Sequence, residues 1–359
     1  MTRPSRVVID KQALIHNLKR VRELAPSSKV MVVIKADAYG HGIVRTAQTL
    51  KDADAYGVAC LEEAEELRAA GIINPIVLLE GPHKAIDLNR IVQLKLEVVI
   101  HNEIQVEALE HASLDEPLQV WLKIDTGMHR LGVSIDKAKA LLERLNNCSN
   151  VNPSIRLMTH FATANQVDHP LTQQQLKLFK QFCSELNYEK TLANSAAIIN
   201  FSETHADWVR PGLMLYGVSP MKDKLADDYG LKPVMTLESE IISIQHLRKG
   251  DSVGYGATWR CPEDMPVGVV AAGYGDGFPR HARSGTPIIV NGVRCSLIGR
   301  ASMDMLTVDL RNQPQAKIGD RIVLWGESLP IEEIAQHADT IPYELLCGVH
   351  KRLEFVENG

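Results

Sequence analysis

Between residues 30 and 210 one alternation recurs: a short apolar run, then a stretch whose apolar residues return every three or four positions. The runs fall at 30–35, 55–59, 75–79, 97–100, 119–125, 155–160, 191–194 and 208–210. Amphipathic stretches such as 61–70, 103–111, 135–145 and 171–186 lie between them. A spacing of three and four residues gives a helix one buried face, and a short apolar run between helices suits a parallel strand covered on both sides. Eight strand–helix units close naturally into a (β/α)8 barrel. An open doubly wound sheet uses the same units, and periodicity alone leaves both topologies standing.

The alternation stops after Tyr216. Residues 219–232 are rich in Pro, Lys, Asp and Gly and read as a linker or exposed loop. Strand-like runs follow at 235–247, 267–271, 287–290, 293–298, 305–310 and 321–324, with one helical stretch at 331–338. The expected plan is therefore α/β, a (β/α)8 barrel over residues 8–230 followed by a mainly-β domain over 231–359. The short alternating strand at 6–9 can join either, and residues 1–7 can pack with the second.

Composition removes several function classes. A net charge of −5 and the absence of any lysine- or arginine-rich block argue against a nucleic-acid partner. No apolar run approaches the ~18 residues of a membrane span, and the N-terminal residues lack the apolar core of a signal peptide, so a cytoplasmic place is expected. The six cysteines are scattered without a C-x-x-C pair, and the 13 histidines show no ligand spacing, so no metal is expected.

Chemistry in a barrel gathers at the C-terminal ends of the strands. Here those ends carry Lys35, the run Lys123 to Arg130, His160, Asn194-Ser195 and Arg210-Pro211-Gly212. A lysine closing the apolar run at 31–34 is unusual, because a desolvated lysine loses proton affinity and becomes a nucleophile. The same residue can also snorkel to water, and taken alone the run does not decide between these.

The stretch from Val33 to Gly42, VIKADAYGHG, closely resembles the cofactor-attachment motif of the alanine racemase family. Further blocks follow in the same order: KIDTGMHRLG at 123–132, HFA at 160–162, NSA at 194–196, VRPGLMLYG at 209–217, GYGAT at 254–258, AGYGDG at 272–277 and Met303-Asp304. The resemblance implies a barrel with a C-terminal β domain, a homodimer, pyridoxal 5'-phosphate as cofactor and alanine as substrate. It implies that Lys35 holds the cofactor and is one catalytic base, and that Tyr255, contributed to the other subunit's site, is the second. Ser195, Gly212, Leu213, Tyr39 and Tyr343 resemble the residues around the phosphate, and His160 and Arg210 those that link the tyrosine to the pyridine nitrogen. Arg130 resembles the arginine facing the substrate carboxylate. Met303 resembles the partner residue whose backbone N–H binds that carboxylate. Lys123 matches a lysine that many members carbamylate; unmodified, it puts a second cation beside Arg130, with Asp125 and Asp304 as available countercharges.

Departures are small: Ser302, Leu213 and Asp37 stand where cysteine, isoleucine and asparagine are common. Two other readings share some features. A decarboxylase or broad-specificity racemase of barrel type shares the lysine and the two-domain plan, but Tyr255 and Met303 favour alanine. A non-catalytic cofactor carrier has a single barrel, which residues 231–359 contradict. The glycine-rich GYGDG lacks the context of a dinucleotide loop and reads as a turn of the β domain.

Overall fold

The computed structural model describes residues 3–358. Eight parallel strands close a ring: Lys29–Val33, Ala55–Val58, Ile76–Leu78, Glu97–Ile100, Val120–Asp125, Arg156–Met158, Lys190–Asn194 and Trp208–Arg210. The last pairs with the first, and the fourth with the fifth, so the sheet has no open edge there and the barrel topology holds. The strands are as apolar as they are because helices cover their outer faces while side chains fill the interior. Met31, Ala55, Val77, Val99, Trp121, Met158 and Trp208 form that interior layer. Arg156 stacks on both tryptophans, at 4.8 and 5.2 Å, and pairs with Glu97 and Glu189, which closes the N-terminal end of the barrel. Chemistry is left to the opposite end.

The helices sit where their apolar periodicity puts them. Leu61–Ala69, Glu103–His111, Ile135–Asn147 and Leu171–Phe182 each bury one face. The helix Lys11–Leu24 packs ahead of the first barrel strand, with Asp10 capping its N-terminus by accepting the Ala13 N–H at 2.9 Å.

The second domain is built on the long strand Met235–Leu247. Six strands close through it, with the order Met265–Val270, Leu306–Asp309, Val293–Leu297, Pro287–Val290, Arg321–Trp325 and back to Met235–Leu247. Arg6–Asp10 pairs antiparallel with the long strand and parallel with Glu354–Asn358. Both ends of the described chain therefore belong to the β domain, and the boundary expected at residue 8 falls inside one of its strands. Residues 219–232 are largely exposed, as their composition suggests, but Ser219, Ala226 and Leu231 are buried and tie the segment down. Among the described residues no helix is long and apolar enough to cross a membrane.

Candidate active site at the barrel mouth

Lys35 follows the first barrel strand by two residues, and the chain then does something no propensity rule favours. Ala36, Asp37, Ala38 and Tyr39 all take left-handed helical angles, with φ of 53–54°. Each such non-glycine residue costs roughly 1–2 kcal/mol. Local bonds hold the turn against that cost. Ala36 N–H donates to Glu63 Oε1 at 2.7 Å, Gly42 N–H to Asp37 O at 2.9 Å, and Ile43 N–H to Asp37 Oδ1 at 2.7 Å. The buried His41 places Nδ1 at 3.0 and 2.9 Å from the carbonyls of Ala38 and Tyr39, so that nitrogen carries the proton. Burial lowers the His41 pKa to about 4, which keeps the ring neutral in this role. A Cβ at Gly40 would lie 2.2 Å from Leu346 O, so the turn also fits closely against the helix Pro342–Cys347. The result is a rigid bend that presents Lys35 and Tyr39 at the barrel mouth.

A cavity of about 610 Å³ opens there. It brings together Lys35, Tyr39, Lys123, Arg130, His160, Ser195, Arg210, Gly212, Leu213 and Tyr343, all ten of the residues expected from the barrel and from the helix after residue 341. Tyr255 and Met303 do not line it. Both lie on the β domain and are largely exposed, 69% and 54% accessible. The structure also brings Glu80, Met128, Asn194 and Cys347 to the cavity wall. Glu80 stands two residues past the strand Ile76–Leu78, where the strand-end rule alone would have found it. Asn194 caps the helix Ser195–Asn200 by accepting the Ala197 N–H at 3.1 Å.

Four cations, Lys35, Lys123, Arg130 and Arg210, share this wall with a single carboxylate, Glu80. Such an imbalance calls for an anionic ligand. The expected countercharges do not supply it. Asp125 spends its side chain on the N–H groups of Gly127, Met128 and His129, and on the His129 ring. Asp304 pairs with Arg3 and Arg352 on the β domain.

Arg210 is buried without a carboxylate partner. It donates to Thr191 Oγ1 and Thr159 O, both at 2.6 Å, to Leu192 O at 3.1 Å, and to His160 Nδ1 at 3.2 Å. Burial lowers its pKa to about 9, still high enough to keep the guanidinium charged at neutral pH. Because arginine only donates, His160 Nδ1 must accept, and the neutral ring carries its proton on Nε2. Burial, with Arg210, Lys123, Arg130 and Lys35 nearby, pushes the His160 pKa well below its usual value, so the ring is neutral. Burial and the same neighbouring cations bring Lys123 down to about 7.

Other lining groups suit a phosphate. Gly212 N–H donates to Ser195 Oγ at 2.9 Å, leaving that hydroxyl's own proton free for an acceptor. A Cβ at Gly212 would come within 2.6 Å of Tyr39 Oη, so glycine keeps this cradle open. Tyr39 is held by aromatic contacts with Tyr216 at 4.8 Å and Tyr343 at 5.9 Å. Burial raises the pKa of both Tyr39 and Tyr343, so they remain hydroxyl donors. Hydroxyl and backbone donors, a guanidinium without a carboxylate partner and an amine on one cavity wall are the chemistry that pyridoxal phosphate would need.

Comparison with known proteins agrees with this geometry. Residues 9–220 match the alanine racemase N-terminal domain and residues 234–357 the alanine racemase C-terminal domain. The chain is 50% identical to the biosynthetic alanine racemase of Escherichia coli (strain K12), over 97% of each chain. The crystal structure of the biosynthetic alanine racemase from Pseudomonas aeruginosa superposes with a TM-score of 0.97 at 44% identity, covering 100% of both chains. That of the alanine racemase from E. faecalis gives 0.91 at 32% identity, again covering 100% of both.

Proposed function

The chain belongs to the alanine racemase family, and on that premise we propose that it interconverts L- and D-alanine with two bases, Lys35 of one protomer and Tyr255 of its partner, on pyridoxal phosphate. The observation that carries the reading is the cation-rich cavity at the barrel mouth, which gathers an amine, phosphate donors and a guanidinium without a carboxylate partner. Bound there, the cofactor supplies an electron sink that acidifies the α-carbon of an attached amino acid.

The protein's own groups do the rest. Lys35 Nζ would hold the cofactor, and its amine is the base on the D face. Tyr255 Oη handles the proton on the L face. Placing the two on opposite sides lets one site work in both directions without turning the substrate over. Tyr39, Ser195, Gly212, Leu213 and Tyr343 hold the phosphate end. Arg210, a fixed cation, would donate to the cofactor's pyridine nitrogen and disfavour a proton there. Such a donor would limit the electron sink and disfavour the competing route to pyridoxamine. His160 accepts from Arg210 at Nδ1, which leaves its Nε2–H as a donor.

Arg130 and the partner's Met303 N–H receive the substrate carboxylate. Lys123, partly neutral at physiological pH, adds its amine to carbon dioxide and releases one proton, giving a carbamate. The new anion orients Arg130 and replaces a repulsive pair with an attractive one. The homodimer belongs to the same reading, since Tyr255 and Met303 are exposed and lie outside their own chain's cavity. So does a role in supplying D-alanine, since the E. coli relative is named a biosynthetic alanine racemase, and a cytoplasmic place, on the free cysteines.

The test is borohydride reduction of the yellow holoenzyme followed by peptide mapping. The label belongs on Lys35; a label on any other lysine ends the proposal.

A further inference from the structure

Gly273-Tyr274-Gly275-Asp276-Gly277 takes no part in the cavity, yet it is the cradle of the segment that carries Met303. Tyr274 N–H donates to Ser302 O at 3.0 Å and Gly275 N–H to Met303 O at 2.8 Å. A Cβ at Gly273 would lie 2.3 Å from Ser302 O and 2.4 Å from Met303 O, so only glycine lets the two backbones approach this closely. Met303 N–H itself donates to no acceptor among the described residues, and its side chain is exposed.

Below the cradle lies Asp276, completely buried. Its Oδ2 accepts the Gly273 N–H at 2.8 Å and Arg3 Nη2 at 2.9 Å, and its Oδ1 accepts Arg352 Nε at 2.8 Å. Both arginines then reach the Met303 segment. Arg3 donates to Asp304 O at 2.6 Å and Asp304 Oδ1 at 3.3 Å, and Arg352 reaches Asp304 Oδ1 at 2.9 Å and Met303 O at 3.5 Å. Two cations and two anions balance, and three separate parts of the chain meet: the first described residues, the glycine-rich turn and the segment before the last strand. A buried carboxylate held by two guanidinium groups is a rigid fixture. What it fixes is the segment carrying the Met303 N–H, which has no acceptor among the described residues.

We propose that Asp276 is a positioning residue for racemisation: acting through Arg3 and Arg352, it sets the angle at which Met303 N–H meets the substrate carboxylate. This rests on the reading that Met303 of one protomer completes the partner's cavity.

The test compares holoenzyme variants by steady-state kinetics and by competitive inhibition with propionate, which is alanine without its amine. Asp276→Asn keeps the side chain's size and an acceptor for Gly273, but removes the charge that holds both arginines. KM for L- and D-alanine should rise about tenfold and the propionate inhibition constant should rise in parallel, with kcat within about twofold and the cofactor absorbance unchanged, the pattern of lost carboxylate binding. Arg352→Gln removes one arm at a half-exposed position and should move both constants the same way by about threefold, a smaller loss of the same contact. It serves should Asp276→Asn fail to fold. A lower melting temperature with both constants unchanged in either variant would mean a merely structural role and overturn the proposal. Met303→Pro, which deletes the N–H, separates the two claims. If it raises both constants while Asp276→Asn and Arg352→Gln do not, the clamp is wrong and the Met303 reading stands. If Met303→Pro leaves both constants unchanged, the reading beneath the proposal fails, and the proposal with it.

Discussion

Removing the charge of Lys123 should change how stability depends on pH by a predictable amount. Lys123 is 8% exposed, and burial, then Arg210, Arg130 and Lys35, lower its pKa from 10.5 to about 7. An unfolded chain keeps that proton up to about pH 10.5, whereas the folded one gives it up near pH 7. Between those values the unfolded state binds more protons, so this group makes stability rise with pH. Below pH 7 the full penalty is about 4–5 kcal/mol, from a shift of this size at about 1.4 kcal/mol per unit. Stepping from pH 6 to pH 8 relieves roughly 1.4 kcal/mol of it. Lys123→Met keeps the length and removes the charge. The assay is urea unfolding of cofactor-free protein at pH 6, 7 and 8 in buffer freed of carbon dioxide. The unmodified protein should gain roughly 1–1.5 kcal/mol more than the variant between pH 6 and pH 8. His160, also pushed down by burial, adds a rise of the same sign to both proteins, and the comparison largely removes it. Adding bicarbonate should stabilise the protein with Lys123 and leave the variant unmoved. Equal pH dependence in the two proteins would refute the charge argument, and an equal response to bicarbonate would refute the carbamate.

Other consequences follow from the same geometry. Arg210→Glu should increase pyridoxamine formation per turnover, measured by absorbance on prolonged incubation with alanine; no increase would remove the proposed role of the guanidinium. Tyr39→Phe should weaken cofactor binding about 10- to 100-fold, the worth of one hydrogen bond to a charged group, read by fluorescence titration of the cofactor-free protein. Gly40→Ala forces a positive φ of 76° on alanine and drives its Cβ into Leu346 O, so it should cost at least about 2 kcal/mol of stability in denaturant unfolding.

Much of the fold is legible in the sequence because it follows from periodicity. The eight barrel runs stand within a few residues of their observed strands, since a strand buried on both faces must be continuously apolar. Strand-end position in the sequence is enough to single out Lys35, Lys123, His160, Ser195 and Arg210. What stays hidden has physical reasons. The left-handed turn at 36–39 carries no glycine at its four unusual positions, so no residue advertises it; it exists because Glu63, His41 and Asp37 bond it into place. The helix Pro342–Cys347 is too short for a periodic signal, and only family resemblance points to Tyr343. Pairing of Arg6–Asp10 with strands more than 200 residues away is a tertiary fact. Residues 219–232 look polar enough to be a free loop, yet Ala226 and Leu231 are buried and pack into the core. Asp276 reads as part of an ordinary turn, because the two arginines that give it meaning lie near opposite ends of the chain.

The account turns on a site assembled from two chains, and subunit mixing tests that directly. Lys35→Ala and Tyr255→Phe should each be inactive or nearly so as homodimers. Co-expressed in equal amounts, they should form mixed dimers in which one cavity has both bases and the other has neither, restoring about one quarter of the native activity when half the dimers are mixed. If Tyr255 instead serves its own chain's cavity, every site in the mixture lacks a base, activity does not return, and the two-protomer mechanism is wrong.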